Sequence, residues 1–418
     1  MSPAFAEGAI ARCDGALFAF WHTCRAVSGG TTAGSRARAT VWLGADTLTW
    51  PEGGGNFWAY ANWALGLASN GCRVVWLERA ETDIGETELA VLKAAIEEKL
   101  ARYGLAGCLA LYREGESVEG TVGLDQAGQA DLLLNIAYDA HAEVLDRFPR
   151  KAMLDIDPGL TQVWAIEGTC PIPAHDIYFT IGETVGGPLP DCGITWHYTP
   201  PCVALDWWPV TPVPANAPFT TVTNWGNPEW FVDAGTVHNN NKRAGFQPYI
   251  DLPGRVAAPL ELALCMEADE DLRLAASEQD EVRVLERLGW SVRHSYEVSS
   301  TPWDYHRYIQ ASRGEFGAAK AAYRLLANAW VSDRTICYLA SGRPAVVEHT
   351  GPSAFLPDRA GLFRFRDADE AVECLDAVAA DWATQSRLAR ALAEEHFDAR
   401  IVTARVLERA LGQSAALT

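Results

Sequence analysis

Several things are scarce in this chain. Its ten cysteines are scattered, and no two form a C-x-x-C pair. That argues against a zinc ribbon or a disulfide framework and for reduced thiols in a cytoplasm. Basic residues are outnumbered, 34 Lys and Arg against 54 Asp and Glu, for a formal net charge of −20. A surface of that sign repels nucleic acid and anionic membranes, and no Lys/Arg cluster offers a basic groove, so nucleic acid is not an expected partner. No window approaches the roughly 18 uninterrupted apolar residues of a membrane span. The apolar run Ala16 to Trp21 is short and has no basic segment before it, so it does not read as a signal peptide. A G-x-G-x-x-G fingerprint is missing too, which makes dinucleotide binding a poor expectation.

What is present is a globular chain. Its 418 residues are 49% hydrophobic and 21% charged, enough for two or three domains. The linker-like stretch Ser28 to Ser35 places residues 1–38 outside the expected fold. The run Thr40 to Gly44 is strand-like. A glycine-rich loop follows, Gly53-Gly54-Gly55-Asn56, then a helix from Trp58 to Ala68 and a second apolar strand, Arg73 to Glu78. This is the opening of a doubly wound domain, and the glycines would let backbone approach a ligand. Glu86 to Tyr103 has helical periodicity, while Cys108–Tyr112, Leu132–Ile136 and Lys151–Ile156 are strand candidates. The proline-rich stretch Pro209 to Pro218 marks a junction, and Phe219 to Trp225 begins a second domain. The expected divisions are 39–212, 213–395 and a terminal helix in 396–418. The 16 Trp crowd the start and the middle; most belong to the core, and some offer apolar faces to a ligand.

The densest information lies between Ser312 and Gly351. Ser332 or Asp333 can cap a helix, since a side-chain oxygen there accepts from free first-turn amides. Such a helix start carries partial positive charge and suits a phosphate, and Arg334 adds a fork of donors. Gly342 suits the left-handed position that ends a helix. An ordinary αβ unit with a good cap would show the same spacing.

The run Ser332-Asp333-Arg334 followed by Tyr338-Leu339-Ala340-Ser341-Gly342-Arg343-Pro344 resembles the donor-site unit of GT-B glycosyltransferases. The piece Ser312-Arg313-Gly314-Glu315-Phe316 with Lys320 resembles a bacterial glycosyltransferase-like subgroup. The resemblance runs from about Thr40 onward and implies an α/β fold of two Rossmann-like domains facing a central cleft. It implies a nucleotide-diphosphate sugar as co-substrate, transferred to an acceptor hydroxyl or amine, with no cofactor and no metal. The implied donor residues are Ser312, Arg313, Glu315, Lys320, Ser332, Asp333, Arg334, Glu348, Thr350 and Gly351. Gly53, Gly54, Gly55, Asn56 and Trp58 would form the loop on the acceptor side of the cleft. One slot departs from the pattern: many GT-B enzymes hold the donor ribose with a Glu five residues before the glycine, and here that residue is Cys337. Glu315 or Glu348 would have to replace it.

Three residues are candidates for catalysis. Asp155 and Asp157 alternate at the carboxyl end of a strand, on one side of it; either is an acceptor contact or base, and Asp157 equally caps the next helix. His175 is a candidate general base, or a structural imidazole. The segment Gly226 to Asn241 reads as a long polar loop, and Lys242 and Arg243 beyond it are a phosphate contact or a surface pair. Two alternatives stand beside transfer: a sugar-nucleotide epimerase or hydrolase on the same fold, and a silent binding protein, which Cys337 favours.

Overall fold

Continuous buried apolar runs at Thr40–Ala45 and Arg73–Arg79 give the first two strands, β1 and β2. They open an eight-stranded sheet with β3 (Leu109–Arg113), β4 (Glu116–Ser117), β5 (Leu132–Asn135), β6 (Lys151–Asp155), β7 (Ile177–Thr180) and β8 (Trp196–Tyr198). The strand order is β4-β3-β2-β1-β5-β6-β7-β8, and only the β3–β4 pair is antiparallel. Helices α1 (Gly54–Ser69), α2 (Glu86–Arg102), α3 (Ala142–Leu145) and α4 (Leu160–Glu167) connect these strands. A parallel sheet places all its carboxyl ends at one edge, where ligands bind. In this computed structural model the described residues are 37–412, without 227, 228, 234 and 269–272. The tail expected in residues 1–38 falls almost wholly outside them.

The second sheet begins with β9 (Phe219–Asn224). A separate hairpin follows, β10 (Trp230–Asp233) and β11 (Thr236–Asn239), then β12 (Leu260–Cys265), β13 (Ser291–His294), β14 (Gly314–Gly317), β15 (Ala345–Glu348), β16 (Arg359–Ala360) and β17 (Leu362–Phe365). The seven-stranded order is β13-β12-β9-β14-β15-β17-β16, parallel except for β16. Its helices are α5 (Lys242–Phe246), α6 (Ala276–Arg287), α7 (Tyr296–Ser299), α8 (Pro302–Ala311), α9 (Ala321–Leu325), α10 (Asp333–Ala340), α11 (Ala368–Ala380), α12 (Trp382–His396) and α13 (Ala399–Leu411). No described helix is long and apolar enough to cross a membrane.

The hairpin corrects the reading of Gly226 to Asn241 as a loop. Its short alternation is hidden among polar neighbours. Phe231 points inward against Leu160, Val163 and Leu189 of the first domain, while Trp230, Val232 and Val237 stay exposed.

One apolar core runs through both domains, joining Trp58 and Trp208 to Tyr305 and to Ile336–Ala340 of α10. The indole rings of Trp58 and Trp208 lie 4.8 Å apart, and Trp58 Nε1 donates to Pro302 O at 2.9 Å. Trp58 is therefore a buried tie between domains and not an aromatic face for a ligand. Helix α13 returns to α1: Asn70 Nδ2 donates to Arg400 O at 2.8 Å and to Thr403 Oγ1 at 2.9 Å.

Candidate functional site

The site is a narrow pocket at the carboxyl edge of the second sheet. Gly317, Trp330, Ser332, Arg334, Glu348 and Thr350 are among its lining residues. Local sequence explains its shape. Ser332 is extended at the helix start, and its Oγ accepts from Arg334 N at 3.1 Å, which ends the chain's approach and starts α10. Thr335 to Ala340 are buried, so the helix is fixed by packing and its first turn is left at the pocket wall. Gly342, with φ +67°, closes the helix and turns the chain into β15.

Positive charge gathers here. Arg334 Nε donates to Glu315 Oε1 at 2.7 Å, and its Nη1 donates to Val222 O at 2.9 Å. Lys242 is buried, with Nζ donating to Ala318 O at 2.6 Å. Burial, helped by Arg334 and Lys320, lowers the Lys242 ammonium to about 7. Lys320 pairs with Glu229 at the base of the hairpin, where Asn240 also bonds Glu229 and accepts from Ala322 N. Arg324 Nη1 donates to Glu348 Oε1 at 2.9 Å and remains 43% exposed, so it can reach a ligand. The Lys242 ammonium lies 5.7 Å from the centre of the Trp330 ring, and Trp330 stacks on Tyr323 at 4.2 Å. Arg334 lines the pocket, Lys242 and Arg324 bond residues of its wall and Lys320 adjoins it, while Glu315, Glu348 and Glu229 pair with three of these four cations.

The first domain meets α9 at Asp157. Asp157 follows β6 and accepts from the hydroxyl of Tyr323, a residue of α9 in the other domain. Among the described residues no hydrogen bond reaches Asp157 Oδ2. Asp333 lies close enough to feel that carboxylate: burial raises its pKa, Arg334 opposes the rise, and Asp157 adds to it.

The structure redistributes the expected residues. Ser332, Arg334, Glu348 and Thr350 come together at the pocket, with Lys320, Asp333 and Gly351 beside them. Glu315 is near but wholly buried, committed to Arg334. Glu348 accepts from Tyr249 Oη, Arg324 and Ala319 N, so that replacement for the missing ribose contact is already engaged, whereas Glu315 bonds Arg334 through Oε1 and its buried Oε2 has no partner among the described residues. Cys337 is buried against Asn62.

Ser312 and Arg313 do not reach the pocket. They precede β14, at the amino end of a strand whose carboxyl end carries the site. Ser312 Oγ is hydrogen-bonded to Thr220 Oγ1 at 2.6 Å, and Arg313 lies over the Trp382 ring.

Asp155 is also a correction. It is fully buried and accepts from Tyr138, Thr161, Gln162, Thr180 and the Asp157 amide. Five donors leave it no lone pair for a substrate, so it anchors the β6–α4 turn. His175 stands before β7. Its Nδ1 is 2.8 Å from Pro173 O, which requires an N–H there, and its Nε2 is 3.3 Å from Asn135 Nδ2, which must donate. The remaining lone pair is used, and burial lowers the pKa; His175 is a structural imidazole.

The glycine loop is likewise structural at two positions. A Cβ on Gly54 would stand 2.2 Å from Thr301 O, and one on Gly55 2.9 Å from the Tyr305 ring. These glycines admit the second domain's α8, not a ligand. Gly53 starts α1, and Asn56 Nδ2 donates to Asp46 O at 3.0 Å.

Sequence reasoning missed Arg324, Trp330 and the Glu229 clasp on Lys320. Arg324 sits in an apolar stretch, and only the position of α9 reveals its aim. Arg243 pairs with Glu278 and Glu281 instead of a ligand. Among the described residues no group of three or more His, Cys, Asp or Glu is placed to hold a metal ion.

No protein-family model matches the chain, and no curated protein matches it. Solved structures do. Sucrose-phosphate synthase from Thermosynechococcus elongatus superposes with a TM-score of 0.53 at 11% identity, over 90% of this chain and 99% of that one. Anabaena Alr3699/HepE in complex with UDP-glucose gives 0.54 at 11% identity, over 88% and 98%. An alpha-glucosyltransferase in complex with UDP-glucose and DNA containing an abasic site gives 0.54 at 11% identity, over 89% and 99%. At that identity the likeness shows the fold. The chain has the GT-B architecture, two doubly wound α/β domains facing a cleft.

Proposed function

We propose that the protein is a glycosyltransferase, moving a sugar from a nucleoside-diphosphate sugar to the hydroxyl or amine of a small-molecule acceptor. The observation that carries this is the pocket beside the first turn of α10, lined by Arg334 and bordered by Lys242, Lys320 and Arg324, where a diphosphate would compete with Glu229 and Glu348 for Lys320 and Arg324. Residues 213–395 would hold the donor and residues 39–212 the acceptor. The diphosphate would lie against α10 and draw Lys320 away from Glu229. As the acceptor oxygen bonds to the anomeric carbon, the bond from that carbon to the diphosphate oxygen breaks. Lys320, Lys242 and the helix start would stabilise the departing charge. Asp157 would receive the acceptor's proton through Oδ2. UDP-glucose in two of the matched structures supports a uridine donor as the first to try.

A small acceptor fits the net charge of −20. The DNA held by one matched structure shows that the fold itself admits nucleic acid, so a DNA acceptor belongs in the screen. A cytoplasmic location is supported by the free state of the eight described cysteines.

The decisive assay incubates the protein with UDP-glucose and other sugar nucleotides, alone and with panels of acceptors, and measures release of the nucleoside diphosphate. Acceptor-dependent release is expected. Release without acceptor would favour a hydrolase or epimerase. Binding without turnover would favour the silent binding protein, for which Cys337 and the prior engagement of Glu348 speak.

A further inference from the structure

The segment Leu326 to Val331 connects α9 to α10 and passes between the domains. Ala327 and Ala329 hold φ of +45° and +55°, a left-handed geometry that alanine rarely adopts and that persists only where surroundings over-determine it. The bracing comes from two sides. On the pocket side, Ala329 N donates to Thr350 O at 2.9 Å, and Thr350 Oγ1 donates to Trp330 O at 2.8 Å. Gly351 packs so closely that a Cβ there would stand 2.4 Å from Ala327 O.

On the other side stand groups of the first domain. Asn328 is completely buried; its Nδ2 donates to Pro158 O at 2.7 Å while its Oδ1 accepts from Trp330 N at 3.0 Å. Thr184 Oγ1 donates to Ala327 O at 3.0 Å. The adjacent Glu183 accepts from Ala354 N at 2.6 Å and from Ser353 Oγ. Two consecutive residues after β7 thus grip both loops that flank the pocket, and Asn328 ties the pocket's Trp330 to the residue after Asp157.

We propose that Glu183, Thr184 and Asn328 form a clip that sets the first domain's acceptor wall in register with the donor pocket. Asn328 and Thr184 are then positioning residues. The proposal rests on the glycosyltransferase reading for its purpose, but the hydrogen bonds of the clip stand whether or not that reading holds. Motion of Trp330 when a nucleotide enters is passed through Asn328 to Pro158 and Asp157, and through Ala327 to Thr184. Closure of this kind completes a site and excludes water.

The test is hydrogen exchange on the full chain, for wild type, Asn328→Asp and Thr184→Val, with and without UDP. Asn328→Asp keeps the acceptor for Trp330 N and, in its ionised form, replaces the donor to Pro158 O with a second acceptor. Without ligand, it is expected to speed exchange about tenfold in the first domain at Gly159–Glu167, the order expected when one buried bond is lost. Thr184→Val should speed exchange reciprocally in the second domain at 326–331. With UDP, protection at Gly159–Glu167 should appear in wild type and vanish in both variants, while the UDP-induced melting shift persists. Effects confined to each variant's own domain would overturn the clip. If UDP gives no melting shift in wild type, the donor reading fails, and the ligand-free reciprocity still decides the clip. If Asn328→Asp does not fold, Thr184→Val carries the test alone.

Discussion

Arg334 Nε and Glu315 Oε1 are 2.7 Å apart, and Glu315 has no exposed surface. The arginine that the sequence offers as a phosphate ligand is therefore also the counter-ion of a buried carboxylate. Arg334→Ala would strand that charge and is expected to cost about 3–5 kcal/mol of stability. Adding Glu315→Gln should recover part of the loss. Urea midpoints of the single and double variants check this, and a single variant as stable as wild type would contradict it. Loss of activity in Arg334→Ala alone would not report on catalysis.

Lys242 makes a pH prediction with a definite sign. Its pKa falls from 10.5 to about 7 on folding, so between those values the unfolded chain binds the extra proton. The group's penalty is full below about pH 7 and disappears as pH rises towards 10.5. A bound diphosphate should raise this pKa again. Nucleotide binding near pH 8 is expected to take up a proton, and affinity should weaken as pH rises above about 7. Calorimetry in buffers of different ionisation enthalpy measures the uptake, which Lys242→Met should abolish.

Gly54 meets the carbonyl of Thr301, not a ligand. Gly54→Ala is expected to destabilise the protein by about 1–3 kcal/mol through overpacking. Melting temperature checks it; a variant with wild-type stability but weakened ligand binding would restore the ligand-approach reading.

His175 should prove dispensable for chemistry. His175→Gln is expected to lower stability by about 1 kcal/mol, as one neutral hydrogen bond is lost, and to leave the turnover number within a few-fold. A hundredfold fall in turnover with unchanged folding would contradict the structural assignment.

Much of the frame was legible because it rests on local rules. Ser332 caps, Gly342 stops, and the strands Thr40–Ala45 and Phe219–Asn224 alternate or run apolar as buried parallel strands do. The direction in which polar side chains point was not legible. Asp155 and Asp157 share one side of a strand by alternation, yet one receives five donors from its own domain while the other meets Tyr323 across the cleft. Only tertiary structure separates them. Ser312 and Arg313 read as site residues because they lie near Glu315 in sequence, but a strand carries its two ends to opposite edges of a sheet. The hairpin at Trp230 was missed because its alternation is too short to stand out among polar neighbours. Arg324 and Asn328 were missed because their roles depend on the path between α9 and α10.

The central claim is that a nucleoside diphosphate binds at the carboxyl edge of the second sheet. The most direct measurement is a melting-temperature screen of UDP, GDP and TDP against wild type and Lys320→Met. Lys320 and its partner Glu229 are 24% and 23% exposed, so its loss is expected to cost about 1 kcal/mol, and each shift is read against that protein's own ligand-free melting temperature. One nucleotide is expected to stabilise wild type, by about 2.7 kcal/mol at a hundred times its dissociation constant, and Lys320→Met should lose most of that shift. No shift with any nucleotide, or the same shift in the variant, would contradict the account.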